Sequence, residues 1–371
     1  MKVGVPREVK DNEFRVALTP AGAHELSRLG HDVLIERDAG AGSSIPDAEY
    51  IDAGARIVPD ADAAWGEADL VCKVKEPVAE EFHRMRSDQV LFTYLHLAAS
   101  EECTRALVDS GITAIGYETV QLADGSLPLL APMSEVAGRM APHVGANYLQ
   151  REHGGRGVLM GGVSGVYAAK VVVLGAGVSG MNAAAIALGM QAEVLVLDRN
   201  IDRLRQADRI YQGHLQTIAS NAYEVERACL DADLVIGAVL VPGAKAPTLV
   251  TDALVARMKP GAVLIDIAVD QGGCFESTRP TTHSKPTFRV HDAVFYCVAN
   301  MPGAVPHTST HALTNVTLPY AERIAELGWR KAALAEPALA AGVNVTGGEV
   351  VCEPVAAAHG LPLRELADLL G

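Results

Sequence analysis

Aromatic side chains are scarce in this chain: two Trp, nine Tyr and six Phe make up 5% of 371 residues. Basic residues are outnumbered as well, with 31 Lys and Arg against 45 Asp and Glu and a formal net charge of −14. A nucleic-acid binder needs a basic footprint and stacking platforms, so the two shortages together exclude that class. Six cysteines (Cys72, Cys103, Cys229, Cys274, Cys297 and Cys352) lie far apart, with no CxxC spacing and no paired histidines nearby. That excludes a zinc cluster and, in so long a chain, a disulfide framework; reduced cytoplasmic thiols are expected. The opening MKVGVPREVKDNEFR lacks the apolar core of a signal peptide, so nothing in it directs export. One uncharged run, residues 171–192, is long enough to cross a bilayer. There VVVL passes at once into GAGVSG, which reads as strand, tight turn and helix, so no membrane association is expected.

What the chain does have is hydrophobic residues, at 49%, and 35 glycines too scattered to form a linker. Its length provides for two or three domains, each able to bury a core. Short apolar runs alternate with helical stretches, the sign of βαβ units and a parallel sheet. The alternation occurs twice. Val3–Val5 leads to a helix around Ala21–Leu29, then LGHDVLIE, then ADLVCKVK at Ala68–Lys75. Val171–Gly175 leads to a helix ending in LGMQAEVLVLD, then ADLVIGAVL at Ala232–Leu240. Between them, a helix capped by Ser134 is expected within Met133–Gln150, kinked or shortened at Pro142. A second long helical segment is expected over Leu318–Ala341, interrupted at Pro337. The fold class that results is α/β: two Rossmann-like lobes with parallel sheets, hinged by long helices around a central cleft.

The strongest local signal is KVVVLGAGVSGMNAAAIALGMQAEVLVLD. Gly175, Gly177 and Gly180 form GxGxxG directly after a strand and at the start of a helix. The first glycine permits the tight turn, the second lets a pyrophosphate approach the backbone, and the third lets helix and strand pack closely. Phosphate charge would meet the unpaired amides of the helix N-terminus. Asp198 closes the next strand, where a carboxylate accepts the adenosine ribose hydroxyls and repels a 2′-phosphate, so NAD is expected rather than NADP. IGAVLVPG and VLIDIAVDQGG read as the fourth and fifth strands of the same sheet. Asp266 and Asp270 share a face if the fifth strand persists, and Asp270, beside the Gly272-Gly273 turn, is the better placed for chemistry.

Hydride transfer at carbon also needs a group that manages the proton on the adjacent heteroatom. His96 lies in the apolar run LFTYLHLAA, where a core histidine is the competing reading. Lys73 and Lys75 alternate with apolar residues in VCKVKEP, as solvated strand-end cations or as a grip on a substrate carbonyl or carboxylate. Arg15, in NEFRVALTP, offers a bidentate carboxylate clamp or a plain surface arginine.

Taken in order, GVPREVKDNEFRVALTPAG, KVKEP, LFTYLHLAA, APMSEVAGR, the fingerprint, GAVLVPGAKAP, VLIDIAVDQGGCFE, RPTTH and YCVANMPGAVP resemble the alanine dehydrogenase/pyridine nucleotide transhydrogenase family, in its alanine dehydrogenase branch. The resemblance covers nearly the whole chain. It implies reversible oxidative deamination of L-alanine to pyruvate and ammonium, with NAD reduced to NADH. By that likeness Arg15 and Lys75 hold the substrate, His96 is the proton donor and acceptor, and Asp270 assists the ammonia or water step. Glu118 is expected to orient Lys75. Cofactor contacts are implied for Ser134, Gly175, Gly177, Val178, Ser179, Gly180, Asp198, Arg203, Ser220, Val239, Leu240, Ile267, Asp270, Arg279, Asn300 and Met301. Arg323 and Leu327 occupy the helix face where some relatives are assigned a divalent ion, so no metal is expected. The likeness further implies a substrate domain at 1–129 with 307–371, an NAD domain at 130–306, and a homohexamer. Two alternatives stay open: a soluble NAD-binding transhydrogenase component, and a non-enzymatic NAD-responsive regulator.

Overall fold

The computed structural model describes residues 1–239 and 246–370. In chain order the strands are β1 (Lys2–Val5), β2 (Asp32–Glu36), β3 (Arg56–Val58), β4 (Leu70–Cys72), β5 (Val90–Thr93) and β6 (Thr113–Gly116). There follow β7 (Lys170–Leu174), β8 (Glu193–Asp198), β9 (Gln216–Ala219), β10 (Leu234–Gly237), β11 (Val263–Asp266), β12 (Thr287–Val290) and β13 (Ala293–Tyr296). Last come β14 (Val343–Thr346) and β15 (Glu349–Val350). The chain divides into two compact units, Met1–Met133 with the segment from Val305 onward, and Ser134–Ala304. The divisions expected from sequence fall at 129/130 and 306/307.

The first unit holds an eight-stranded sheet in the order β15-β14-β6-β5-β4-β1-β2-β3. Strands β1 to β6 run parallel, while β14 is antiparallel to β6 and to β15. The second unit holds β12-β13-β11-β10-β7-β8-β9, parallel except for the β12/β13 pair. In both sheets the six parallel strands follow the doubly wound order, third-second-first-fourth-fifth-sixth. Each sheet therefore reverses direction beside its first strand, at β1/β4 and at β7/β10. Ligands of such sheets bind at the carboxyl edge of that switch point.

The central parallel strands, such as β5, β7, β10 and β11, are buried on both faces, which is why they read as continuous apolar runs. In β7, Val171 and Val173 join one core cluster, while Val172 and Leu174 join the cluster on the opposite face. Each such side chain contributes about 1.5–3 kcal/mol on leaving water. The uncharged run that imitated a membrane span is β7 followed by the helix Val178–Gly189. Among the described residues no helix is long and apolar enough to cross a membrane.

Two expectations about helices need correction. The linking helix runs Ala131–Tyr148 without interruption, so Ser134 lies inside its first turn rather than at its cap, and Pro142 does not end it. The late segment begins at Pro306 rather than near Leu318; it runs to Leu327, stops at Gly328, and resumes as Trp329–Ala335 and Pro337–Gly342. Its first half was hidden because its inward face is polar: Ser309, Thr310, Thr314 and Thr317 are buried there. Thr310 Oγ1 accepts the Val16 amide at 3.1 Å and meets Ser43 Oγ at 2.8 Å.

Candidate active site

In the second unit, the glycine loop stands at the switch point between β7 and β10. Gly175 has φ +107°, and a Cβ there would lie 2.7 Å from the Ala238 carbonyl oxygen. At Gly180 a Cβ would lie 1.8 Å from the Gly175 oxygen, so glycine is what lets helix and turn meet. Gly177 differs: among the described residues a Cβ there would find only Arg203 Nη1, at 4.0 Å. No described residue thus demands glycine at 177, whereas a pyrophosphate approaching the backbone would. Gly177 also caps the helix Val178–Gly189 without any side-chain hydrogen bond, leaving first-turn amides for an anion.

Asp198 ends β8, and its carboxylate accepts the amides of Ala176 and Asn200, each at 2.7 Å. It thus holds the glycine turn in shape while staying partly open, with Arg203 Nη1 at 3.7 Å. Ser220 follows β9 and donates its amide to the Asp198 carbonyl oxygen at 2.9 Å. Val239 follows β10, and Ile267 follows β11 with its amide on Gly237 O at 2.9 Å. Asn300 takes φ +68° just before the turn Met301–Ala304 that succeeds β13. These residues all gather along one carboxyl edge, in keeping with dinucleotide binding. Val178 and Ser179 open the helix after the glycine loop. Ser134 lies apart from the strand ends, in the linking helix. Arg279 is exposed and stacks its guanidinium 4.3 Å above the Phe288 ring. Leu240 lies outside the described residues.

The paired-aspartate expectation is corrected, because β11 ends at Asp266. Asp266 is fully buried, and its carboxylate accepts the amides of Ala268 at 3.1 Å and Cys274 at 2.9 Å. It closes the loop between them, and burial pushes its carboxyl pKa up. Asp270 rides on that loop, exposed, in the turn Val269–Gln271.

In the first unit the substrate candidates again follow strand ends. Lys73 and Lys75 do not share a fate. Lys73 is wholly buried, with Nζ 3.2 Å from Glu8 and 2.8 Å from Glu81. Lys75 is half-buried and makes no side-chain hydrogen bond or ion pair among the described residues. Arg15 is buried, not superficial; its Nε and Nη2 chelate Glu13 at 2.7 and 2.5 Å, and Nη1 reaches Met133 Sδ at 3.0 Å. His96 follows β5 in the left-handed region, φ +48°, a strained choice for a residue with a Cβ and one that recurs at functional sites. Its ring is half-buried, stacked on Tyr94 at 5.8 Å, and makes no hydrogen bond among the described residues. It is thus not a satisfied core histidine.

Glu118 orients a different group from the one expected. Its carboxylate accepts the amides of Leu95 at 3.1 Å and His96 at 2.6 Å, so it fixes the histidine backbone and does not touch Lys75.

Tyr94 was overlooked in the sequence, although it stands two residues before His96. Its amide binds Val74 O, next to Lys75, at 3.2 Å, and its ring lies against His96. Its hydroxyl donates to Leu129 O at 2.7 Å, and burial raises its pKa, so it stays protonated. Arg15 is close enough to influence it electrostatically. Tyr94 is therefore the common neighbour of the substrate candidates. The cysteines offer no nucleophile: burial pushes the thiols of Cys72, Cys103, Cys229, Cys274 and Cys297 up to about 12.

Two doubly wound units, one carrying a complete dinucleotide fingerprint and the other the arginine, lysine and histidine candidates, fit a nicotinamide-dependent oxidoreductase. The family model for the alanine dehydrogenase/PNT N-terminal domain matches residues 4–137, and that for the C-terminal domain matches residues 141–353. The chain is 62% identical over 370 residues to alanine dehydrogenase of Mycobacterium tuberculosis, covering all of both chains. It superposes on a solved L-alanine dehydrogenase with TM-score 0.94 at 49% identity, covering 97% of this chain and 99% of that one. A transhydrogenase structure from Sinorhizobium meliloti follows at TM-score 0.80 and 30% identity, covering 95% and 99%. The chain belongs to the alanine dehydrogenase/PNT family.

Proposed function

We infer that the chain catalyses the reversible, NAD-dependent oxidative deamination of L-alanine to pyruvate and ammonium. The observation that carries this reading is the half-buried His96, stacked on Tyr94, fixed at its backbone by Glu118 and without a ring hydrogen bond among the described residues, in the unit that also carries Arg15 and Lys75. Pyruvate is a small anion with a carbonyl next to its carboxylate. Arg15 and Lys75 supply fixed positive charge for both, and charge on the carbonyl oxygen grows as the reaction proceeds. The nicotinamide, when bound, takes up or returns the hydride at Cα. During deamination water adds to the resulting iminium carbon and the carbinolamine loses ammonia. Proton transfers at the oxygen and nitrogen fall to His96, because an imidazole can both donate and accept a proton. Asp270 assists the water or ammonia step.

In this proposal NAD lies across Gly175, Gly177, Val178, Ser179 and Gly180, with Asp198 on the adenosine ribose. Arg203, Ser134, Ser220, Val239, Leu240, Ile267, Arg279, Asn300 and Met301 complete its surroundings. Residues 1–129 with 307–371 would then serve the substrate and 130–306 the cofactor. A homohexamer in the cytoplasm completes the proposal: the family likeness supports the assembly, and six unpaired thiols suit a reducing compartment.

The test is NADH oxidation that requires both pyruvate and ammonium, followed by absorbance across a panel of 2-oxo acids. His96→Ala is expected to abolish it. Equal rates in parent and variant would sink the assignment, and NADH oxidation that needed NADP as acceptor in place of pyruvate and ammonium would favour transhydrogenase chemistry.

A further inference from the structure

Lys75 stands on irregular backbone just past β4, and among the described residues its side chain makes no hydrogen bond or ion pair. Its neighbours are held instead, each by the segment that leads from β1 to Arg15. On one side, Glu8 accepts the Val74 amide at 2.6 Å with Oε1, while Oε2 meets Lys73 Nζ at 3.2 Å. The Val74 carbonyl is taken by the Tyr94 amide at 3.2 Å, so the residue before Lys75 is pinned at both ends. On the other side, Lys10 pairs with Glu76. Three neighbours of Lys75, at positions 73, 74 and 76, are thereby joined to the chain that ends in the Glu13–Arg15 chelate.

We propose that Glu8 and Lys10 are positioning residues that set the place of Lys75 relative to Arg15, and so determine the fit of a substrate carrying a carboxylate beside a carbonyl. This rests on the reading of Arg15 and Lys75 as the substrate cations. Two charges on separate segments grip a small rigid anion together only if their spacing is held, and a misplacement of about 1 Å costs on the order of 100-fold. Stability alone is a poor reason for the arrangement, since buried ion pairs are often replaceable by apolar groups at no loss. Glu8 does what an apolar side chain cannot, because it satisfies an orphan amide beyond a strand end and shares a buried ammonium in one carboxylate. Glu81 also meets Lys73, at 2.8 Å, so loss of the Glu8 charge leaves that ammonium paired.

The experiment uses the full-length protein and steady-state kinetics with pyruvate, ammonium and NADH. Lys10→Ala, at a pair that is partly exposed, is expected to raise the KM for pyruvate about tenfold while leaving the KM for NADH and the melting temperature near those of the parent. Glu8→Ala should raise it further, and Glu8→Gln, which keeps an oxygen for the Val74 amide, should recover most of the loss. The exchange K10E with E76K should return the KM to within about threefold of the parent. Unchanged pyruvate KM in both alanine variants, or a parallel rise for pyruvate and NADH, overturns the proposal, as does an exchange no better than Lys10→Ala. Lys75→Ala separates the two levels. If it leaves the pyruvate KM at the parent value, the reading of Lys75 itself has failed. If it raises the KM while the Glu8 and Lys10 variants do not, only the positioning role has failed. Adding Lys10→Ala to Lys75→Ala should cost nothing more.

Discussion

Asp198 illustrates how much one side chain does at the residue scale. It holds the glycine turn through the Ala176 amide and presents a negative charge with Arg203 beside it. Removing that charge takes away the repulsion of a 2′-phosphate and leaves the arginine to receive it. Asp198→Gly or Asp198→Ala is therefore expected to shift the ratio of kcat/KM for NADP over NAD upward, measured with L-alanine in excess. Unchanged discrimination would show that the ribose lies elsewhere. At this scale the sequence was clear about residue type and less clear about partner. Arg15, Lys75, His96 and Asp270 were singled out by the family likeness, since their own surroundings left plain readings such as a core histidine or a surface arginine open. That Lys73 is neutralised inside the unit while Lys75 makes no ion pair among the described residues was not legible, because both alternate with apolar residues in the same five-residue run. Nor could the true partner of Glu118, since the amides it accepts come from the end of another strand.

At the scale of elements, the two glycines that look alike in GxGxxG separate sharply. Gly180→Ala drives a methyl into the Gly175 carbonyl, so a loss of stability of about 1–3 kcal/mol or more is expected. Among the described residues Gly177→Ala brings its methyl no nearer than 4.0 Å to a neighbouring side chain, so its melting temperature should stay near that of the parent while NADH affinity falls. Thermal unfolding with a fluorescence titration of NADH checks both; a Gly177 variant with parental affinity would remove the phosphate from that turn. The strands legible in advance, β1, β2, β4, β7, β8, β10 and β11, were legible from their apolar runs. Others lack that signal: QTIA of β9 has no buried residue. VNVTGGEVV forms β14 and β15, antiparallel additions to a parallel sheet, and so breaks the alternation that revealed the rest. The threonine-rich half of Pro306–Leu327 was obscured because its buried face is satisfied by hydrogen bonds rather than by apolar packing.

On the scale of the whole molecule, the chain is acidic overall, yet its candidate anion grip concentrates two cations at one strand-end cluster. The homohexamer proposed from family likeness is a property of six chains, and light scattering on the eluting protein should report six chain masses. A monomer that retained full activity would detach assembly from function.

By itself the sequence determined the two doubly wound sheets and the dinucleotide turn, because buried parallel strands and phosphate loops impose local rules of composition and backbone freedom. Only the tertiary structure decided which lysine is buried in ion pairs, which carboxylate serves the loop of Asp270, and which holds His96. Those choices depend on burial and on amides contributed by distant segments, and no local spacing encodes them.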